Sequence, residues 1–350
     1  MRVFCDKVLK QWPFILLLLV VILLILWPNI IFQENQLPIL KHQEQEIVSA
    51  ELFEKPAEQK NVLLFGGDIM LSRTVNTKME RYENYNWPLE KIANLFSEAD
   101  LAIANLESPF VLADNYHVPS GSFSFKANPL SVSALVLAGF DVLSLANNHA
   151  LNQGSKGINN TKSILDEAGI SYVGLSENNL VIKESNGIRF SFLAYTYNND
   201  SSLITNMDDL EKLRLDIAAA KSQSDVVIVI MHAGIEYVRE PNRQQKNFAY
   251  AAIDSGADLV IGHHPHWPQI TEDYQGKKII YSLGNLVFDQ MWSKETSQGL
   301  LAKIFFDGKE LKNIEYIPII IRDYGQAEIM PEGADKTELL ESLNLLNNSF

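Results

Sequence analysis

The feature that most constrains the fold is a set of short runs that are apolar on both faces. Residues 226–231, for example, read VVIVIM and offer no polar face to solvent. A strand of this kind belongs in a sheet that is covered on both sides, which is typical of parallel sheets in α/β proteins. The sequence predicts strands at 61–65, 101–104, 142–145, 189–194, 226–231, 259–261 and 279–282.

Helical spacing separates several of these runs. Apolar residues recur every three or four positions over 156–168 and over 208–221, and Gly169 and Gly256 stand where helices are predicted to end. Alternation of strands and helices predicts an α/β fold that is built in layers. Beyond residue 300 the pattern predicts two strands and a final helix, at 301–306, 314–321 and 337–346.

An uninterrupted apolar run, FILLLLVVILLIL, occupies residues 14–26 and contains no polar side chain. With its flanking residues the run is long enough to span a bilayer as a helix. Lysine and arginine precede it and glutamate follows it, so the positive-inside rule places the N-terminus in the cytoplasm. We therefore expect a single-pass protein of the cell membrane with an extracytoplasmic main domain. The expected parts are a cytoplasmic tail at 1–11, a transmembrane anchor at 12–32, a polar stalk at 33–60 and the main domain at 61–350.

Two other interpretations of the apolar run compete with an anchor. A cleaved signal peptide needs a small-residue site soon after the run, and the nearest weak candidate, Val48-Ser49-Ala50, lies well beyond the usual distance. A buried core helix seldom lacks polar residues on every side. The uncleaved anchor is therefore the expectation.

The charge balance of the chain restricts its partners. The formal net charge is −14 and no basic stripe interrupts the sequence, which argues against nucleic-acid binding. An acidic surface also repels other polyanions, so an anionic polymer would need a local positive centre in order to bind. The single cysteine, Cys5, precedes the apolar run, so the main domain has no disulfide.

Polar side chains collect directly after the predicted strands, where ligands bind in open α/β sheets. Each cluster alone also fits a local role, such as a cap or turn for Asp68, a solvated loop for Glu107 and a turn for Asn147. Gly66 and Gly67 predict a sharp turn after the first strand. Taken together, the clusters predict a binding site. They are Gly66 to Asp68, Asn105 to Glu107, Asn147 to His149, His232 to Glu236, Gly262 to His266 and Ser282 to Asn285.

The densest cluster is His263-His264-Pro265-His266. Three histidines within four positions are hard to explain by packing, and neutral imidazole is a common ligand of divalent metals. A His-x-His spacing on an extended segment points two imidazoles to one side. A mixed set of carboxylates, amides and imidazoles suits one or two divalent ions of Mn, Fe or Zn. The sequence therefore predicts a metal site.

The order and spacing of these motifs resemble those of a known family. GGDIM, NLES, NNHALNQG, MHAGIEY, GHHPH and YSLGN look like the motifs of the bacterial CapA family, and the resemblance runs from Asn61 to the C-terminus. That family acts in capsule synthesis, and its founding member works with the poly-γ-glutamate enzymes. It is in turn similar to calcineurin-like metallophosphoesterases. The resemblance implies a four-layer α-β-β-α sandwich of the metallophosphatase type with an N-terminal transmembrane helix.

The resemblance also implies roles for individual residues. His149 matches a catalytic proton donor, and His263 could replace one of the later histidine ligands in a shifted register. Met70 stands where metallophosphoesterases carry histidine, and Glu107 where they carry aspartate. A thioether is a poor ligand for a hard or borderline ion, so a two-metal mechanism does not follow from the resemblance alone. The implied metal ligands are Asp68, Glu107, Asn148, His232, His264 and His266.

Three functions are open at the level of the sequence. A metal-dependent hydrolase would cut a phosphoester or an amide bond of a capsule polymer. A non-catalytic binding or export subunit would use its metal to hold an anionic polymer such as poly-γ-glutamate, in a complex with membrane-bound synthesis subunits. A structural protein would use the same polar residues only to close turns. The resemblance favours a role in the biosynthesis of poly-γ-glutamate or a related envelope polymer.

Overall fold

The computed structural model describes residues 60–111, 123–197 and 201–346. Within these ranges two mixed sheets are flanked by helices. The strands are β1 (Lys60–Ile69), β2 (Leu101–Leu106), β3 (Val142–Ser144), β4 (Ser171–Val173), β5 (Val181–Ser185), β6 (Ile188–Thr196), β7 (Val226–His232), β8 (Leu259–His263), β9 (Thr271–Tyr274), β10 (Lys277–Ile280), β11 (Asn285–Val287), β12 (Gln298–Asp307), β13 (Glu310–Arg322) and β14 (Gln326–Ile329). The helices are α1 (Arg73–Arg81), α2 (Ala93–Ser97), α3 (Val132–Ala138), α4 (Gly154–Glu167), α5 (Leu210–Lys221), α6 (Arg243–Ser255) and α7 (Ala334–Ser342), with 3₁₀ turns at Pro129–Ser131 and Glu295–Ser297.

The two sheets differ in strand order. The first runs β14-β13-β12-β1-β2-β3-β4, with the short β11 also paired to β1. Its strands β1 to β4 are parallel, whereas β12 to β14 are antiparallel. The second sheet runs β5-β6-β7-β8-β10-β9 and is parallel except at its two edges. A contact between Asp68, the second-last residue of β1, and His263, the last residue of β8, places the carboxyl ends of both parallel sets at the same end of the molecule.

Alternate residues of the second sheet face two different apolar layers. In β7, Val226 and Ile228 belong to the core shared with the first sheet, whereas Val227 and Val229 pack with residues of α5 and α6. The two sheets meet through Phe190 of β6 and Phe306 of β12, whose ring centroids are 5.2 Å apart. The run VVIVIM is therefore buried on both faces, as its sequence predicts.

The outer face of the first sheet is covered by helices. Phe96 of α2 is buried, lies against Gly66 of β1 and contacts Phe140 just after α3, with ring centroids 4.7 Å apart. Apolar residues of α4, among them Ile158 and Leu165, belong to the same core. The described residues therefore form helix, sheet, sheet and helix layers, so the predicted mixed α/β architecture is confirmed.

The sharp turn predicted at Gly66 and Gly67 is wrong. β1 continues through both glycines to Ile69, with a shift of register against β2 between Phe65 and Asp68. A Cβ on Gly67 would lie 2.0 Å from the carbonyl oxygen of Gly284. The glycine is needed because another backbone approaches closely here, and not because the chain turns.

The predicted tail and anchor, 1–11 and 12–32, and nearly all of the predicted stalk 33–60 lie outside the described residues. Among the helices of the described ranges, none combines the length and apolar content that crossing a bilayer requires.

Candidate metal centre

The candidate site lies where parallel strands of both sheets end. Asp68 is the second-last residue of β1 and Glu107 follows β2, so the first sheet supplies two carboxylates. His232 ends β7 and His263 ends β8, so the second sheet supplies imidazoles. This is the position at which α/β sheets bind ligands.

The tightest group is Asp68, Glu107 and His266. Each offers one ligand atom within 4.8 Å of the others, and all three side chains are buried. The Nδ2 group of Asn105 bridges the two carboxylates, at 2.8 Å from Asp68 Oδ1 and 3.2 Å from Glu107 Oε1. The second oxygen of Glu107, Oε2, is buried and has no hydrogen-bond partner among the described residues.

These two carboxylates have opposite pKa shifts. Burial and the neighbouring Asp68 carboxylate raise the pKa of Glu107 well above its usual range. Burial alone would also raise the pKa of Asp68, but hydrogen bonding and charge from His263, together with His232 and His266, hold it well below its usual range. Adjacent buried carboxylates are costly without a cation, so this donor set fits a divalent metal ion.

His232 links the carboxylates to the amide side chains. Its Nε2 lies 2.9 Å from Asn148 Oδ1 and 3.6 Å from Glu107 Oε1, and its Nδ1 lies 3.2 Å from Asn105 Nδ2. Burial and the nearby His264 lower the pKa of His232 well below its usual value. The ring is therefore neutral at neutral pH, which is the form that ligates metals.

All three histidines of the GHHPH motif surround Asp68. His263 Nδ1 lies 3.2 Å from Asp68 Oδ1, and the backbone N–H of His264 donates to Asp68 Oδ2 at 3.2 Å. His266 Nδ1 lies 3.6 Å from Asp68 Oδ2. His263 was expected only as a substitute in a shifted register, but it lies beside Asp68 together with the two predicted ligands.

The same loop holds a strained backbone. His264 has φ 98° and His266 has φ 57°, which lie in the left-handed region that bulky residues avoid. Such conformations cost about 1–3 kcal/mol each and concentrate at functional sites. The strain turns both imidazoles toward the centre, where His264 Nδ1 lies 3.2 Å from His232 Nε2.

Asn285 fixes the tautomer of His266. Its Nδ2 donates to Gln290 Oε1 at 3.1 Å and to Thr296 O at 2.9 Å, so its Oδ1 faces His266 Nδ1 at 2.9 Å. An amide oxygen only accepts, so Nδ1 carries the hydrogen of the neutral ring. Asn285 thus holds the His266 ring in one orientation, which is the role that outer partners of metal ligands usually play.

His149 stands beside this group on the first sheet. Its Nδ1 lies 3.0 Å from Asn152 Oδ1, which also accepts the N–H of Phe125, and its ring lies 4.0 Å from the Phe125 ring. Burial lowers the pKa of His149 to about 4. Nδ1 therefore carries the hydrogen of the neutral ring, and Nε2 is free to accept a proton. The proton-donor role of His149 stays a prediction.

Met70 supplies no ligand to this group. Its side chain is fully buried and its sulfur accepts the N–H of Ser72 at 3.1 Å. Among the described residues, the imidazoles beside Asp68 come from the end of β8 and the loop after it, and not from position 70, where metallophosphoesterases carry histidine.

The sequence places Asn105, Asn147 and Asn285 in the predicted clusters but assigns none of them an orienting role. Asn105 lies inside the motif NLES and Asn285 inside YSLGN. Neither motif indicates that its asparagine orients another side chain. Asn147 donates to Asn105 Oδ1 at 3.1 Å and accepts the His149 N–H at 3.1 Å, so it closes a turn and also ties β3 to β2. Tyr237 was missed. Burial and the neighbouring Glu236 raise its pKa above the usual value, so its hydroxyl keeps its proton.

A solved structure has the same fold. A phosphatase from Mycoplasma pneumoniae aligns with a TM-score of 0.50 and 16% identity, over 75% of this chain and 94% of its own. This likeness shows the fold class: an α/β protein of two packed sheets flanked by helices, with a buried carboxylate–imidazole group at the carboxyl ends of its strands.

Residues 62–290 match the bacterial capsule synthesis protein family PGA_cap, and the chain belongs to that family. It is 31% identical to the capsule biosynthesis protein CapA of Bacillus anthracis, over 97% of this chain and 84% of that protein. It is 30% identical to the PGA biosynthesis protein CapA of Bacillus subtilis strain 168, over 81% of this chain and 78% of that protein. The family resemblance of the motifs is confirmed.

Proposed function

We propose that this chain is a metal-dependent hydrolase of poly-γ-glutamate capsule biosynthesis, or of a related anionic envelope polymer. One observation carries the proposal: Asp68, Glu107 and His266 bring two buried carboxylates and an imidazole within ligand distance of one another. The family and the names of the two Bacillus relatives support the process. The bond that is cut would be a phosphoester or a γ-glutamyl amide.

Asp68, Glu107 and His266 would hold one divalent ion of Mn, Fe or Zn, with His232, His264 and Asn148 as the neighbouring donors for that ion or a second one. A bound ion would polarise the substrate oxygen and lower the pKa of an attacking water. His149 Nε2 would accept a proton and return it to the leaving group. The asparagine network would hold the carboxylates and His266 in one orientation while this happens.

A non-catalytic binding or export subunit is the second candidate, and Met70 is the observation that favours it. A buried thioether stands in the position of an expected imidazole, which weakens the analogy with two-metal hydrolases. In this version the metal would hold carboxylates of the polymer, because a chain with a net charge of −14 otherwise repels a polyanion.

We also propose that the chain is anchored in the cell membrane by residues 12–32 and works beside membrane-bound synthesis subunits. The apolar run and the asymmetry of the flanking charges support this arrangement. Protease treatment of whole cells should cut the main domain but leave a short N-terminal fragment in the membrane fraction. A full-length chain that stays soluble and protected inside the cell would contradict the anchor.

Elemental analysis of the full-length chain tests the central proposal. We expect about one or two equivalents of metal after loading with Mn, Fe or Zn, and their loss in a His264→Ala, His266→Ala variant. His42→Ala is the matched control, since His42 lies outside the matched residues 62–290. Hydrolysis of γ-glutamyl oligomers and of phosphodiesters is then measured. Metal without turnover would favour the binding subunit, and no metal in any preparation would contradict both candidates.

A further inference from the structure

Tyr237 stands on the wall of the metal centre without being a candidate ligand. Its ring centroid lies 6.1 Å from that of His266 at an angle of 27°, and its edge meets Trp292 at 5.9 Å. Its backbone N–H donates to the carbonyl of Pro265 at 2.9 Å, which ties it to the histidine loop. Tyr237 also has a left-handed backbone, with φ 64°. A strained non-glycine residue in contact with the site indicates a role that packing alone does not require.

A chain of hydrogen bonds sets the direction of the Tyr237 hydroxyl. Because Asn285 Nδ2 donates to Gln290 Oε1, the amide nitrogen of Gln290 points away from Asn285. That nitrogen, Nε2, lies 3.3 Å from the Tyr237 oxygen and donates to it. The phenol therefore accepts from Gln290, and its own hydrogen must point to another acceptor.

Burial and the carboxylate of the adjacent residue, Glu236, raise the pKa of the Tyr237 hydroxyl, so this carboxylate is one such acceptor. Glu236 is partly exposed and also acts electrostatically on Glu107, His149 and His264. The Tyr237 hydroxyl is thus a donor, and the Glu236 carboxylate an acceptor, beside the candidate ligand His266. A ligand oxygen at the centre would compete with Glu236 for the Tyr237 hydrogen.

We propose that Tyr237 donates a hydrogen bond to an oxyanion of the substrate, a carboxylate or phosphoryl oxygen, and that Gln290 is the positioning residue that directs its hydrogen. The inference rests on the proposed metal centre, since the oxyanion is held between that centre and the phenol. Asn285 then serves two functions. Its oxygen orients the proposed metal ligand His266, and its nitrogen orients the substrate donor Tyr237 through Gln290.

The test compares anion binding with metal binding in the full-length, Mn²⁺-loaded chain. The probes are γ-glutamyl-glutamate, which carries carboxylates, and inorganic phosphate. A hydrogen bond to a charged group is stronger than one between neutral groups, so Tyr237→Phe should weaken binding of the preferred probe by about 10- to 100-fold in Kd. The Kd of Mn²⁺ should stay unchanged, because no ligand is altered. Tyr250→Phe is the matched control, since the Tyr250 hydroxyl bonds Glu272 on β9.

A second variant separates direction of the hydrogen from loss of the hydroxyl. In Gln290→Glu the new carboxylate accepts from Tyr237 and turns its hydrogen away from the centre, so probe binding should fall although the hydroxyl is present. If the new charge acted on the anion directly, the effects of Tyr237→Phe and Gln290→Glu would add. We expect the double variant to bind the probe with no lower affinity than the single variant that loses more affinity.

The possible outcomes distinguish the inference from the function it rests on. If the wild-type chain holds no metal, the proposed function fails first. If it holds Mn²⁺ but binds neither probe, or binds a probe equally well in Tyr237→Phe, the inference about Tyr237 is overturned while the metal centre stands. Loss confined to the dipeptide assigns the donor to a carboxylate substrate, and loss confined to phosphate assigns it to a phosphoryl substrate.

Discussion

The two sheets contribute different chemistry to one site. The first sheet supplies the carboxylates of Asp68 and Glu107 together with the amides that tie them in place. The second sheet supplies the imidazoles that surround Asp68, on a loop whose backbone is strained at His264 and His266. Neither sheet holds the full donor set. The centre therefore depends on how the sheets pack, and the contacts between them can be weakened one at a time.

The largest effect is expected where the sheets meet far from the metal centre. Phe190→Ala removes a fully buried ring that contacts Phe306 near the amino end of β6. Such a truncation should lower the free energy of unfolding by about 3–5 kcal/mol. Urea unfolding without metal would measure this loss, and Mn²⁺ at about 100 times its Kd should restore about 2.7 kcal/mol.

The Kd of Mn²⁺ measured on the folded Phe190→Ala chain should match the wild type, since the lost ring lies at the opposite ends of the strands. A folded variant with much weaker metal binding would mean that a loss of packing at one end of the strands changes the geometry of the site at the other end. Leu215→Ala, an exposed position on α5, serves as the surface control.

A smaller effect is expected at the amide that joins the two sheets. Asn285→Ala removes the acceptor that fixes His266 Nδ1 and leaves every proposed ligand intact. Loss of an outer partner of a metal ligand typically weakens affinity by about 10- to 100-fold. Titration with Mn²⁺ would measure the change. Asn285→Asp keeps an acceptor facing His266 and should retain more affinity than the alanine variant; equal losses would contradict the orienting role.

The effect of Glu107 depends on pH and is smallest near its ordinary pKa. Because the folded-state pKa of Glu107 is raised, the metal-free native chain keeps a proton that the unfolded chain releases above the ordinary value of 4.5. Its contribution to stability is complete below that pH and is lost as the pH rises toward the folded-state pKa, at about 1.4 kcal/mol per pH unit. Glu107→Gln has no such group.

In the presence of a chelator, Glu107→Gln should therefore gain stability over the wild type as pH rises from about 5 to about 8, and the two should converge near pH 4. Urea unfolding at each pH measures the difference, in which the contributions of the histidines cancel. A difference that is constant with pH would mean that Glu107 is ionised in the metal-free native chain.

Most of the layered fold could be predicted from local patterns. The buried strand β7 carries its signal in consecutive apolar residues, and Gly169 and Gly256 mark the ends of α4 and α6. The final helix begins three residues before the predicted start, because its first turn after Gly333 is polar and lacks an apolar signal. The end of β1 was missed because its glycines serve the approach of Gly284, which lies far along the chain.

The candidate ligands could be named from motifs, but their connections could not. The structure brings Asp68, Glu107 and His266 together and joins His232 to Asn148, as the motifs imply. The orienting amides and Tyr237 depend on which atoms face each other across the two sheets. The direction of such hydrogen bonds has no local sequence signature, because an asparagine at the same position is equally typical of a turn.

The hydrogen bond from His264 to Asp68 joins residues 196 positions apart, and this separation determines when the site can exist. A nascent chain that ends after β6 contains the carboxylates of Asp68 and Glu107 but none of the imidazoles of the second sheet. Contacts of this range form late because they close long loops. Capture of the proposed metal would therefore be a late event in the maturation of the chain. Bound metal would mark a complete domain, and truncated or nicked chains would be recognisable by their lack of it.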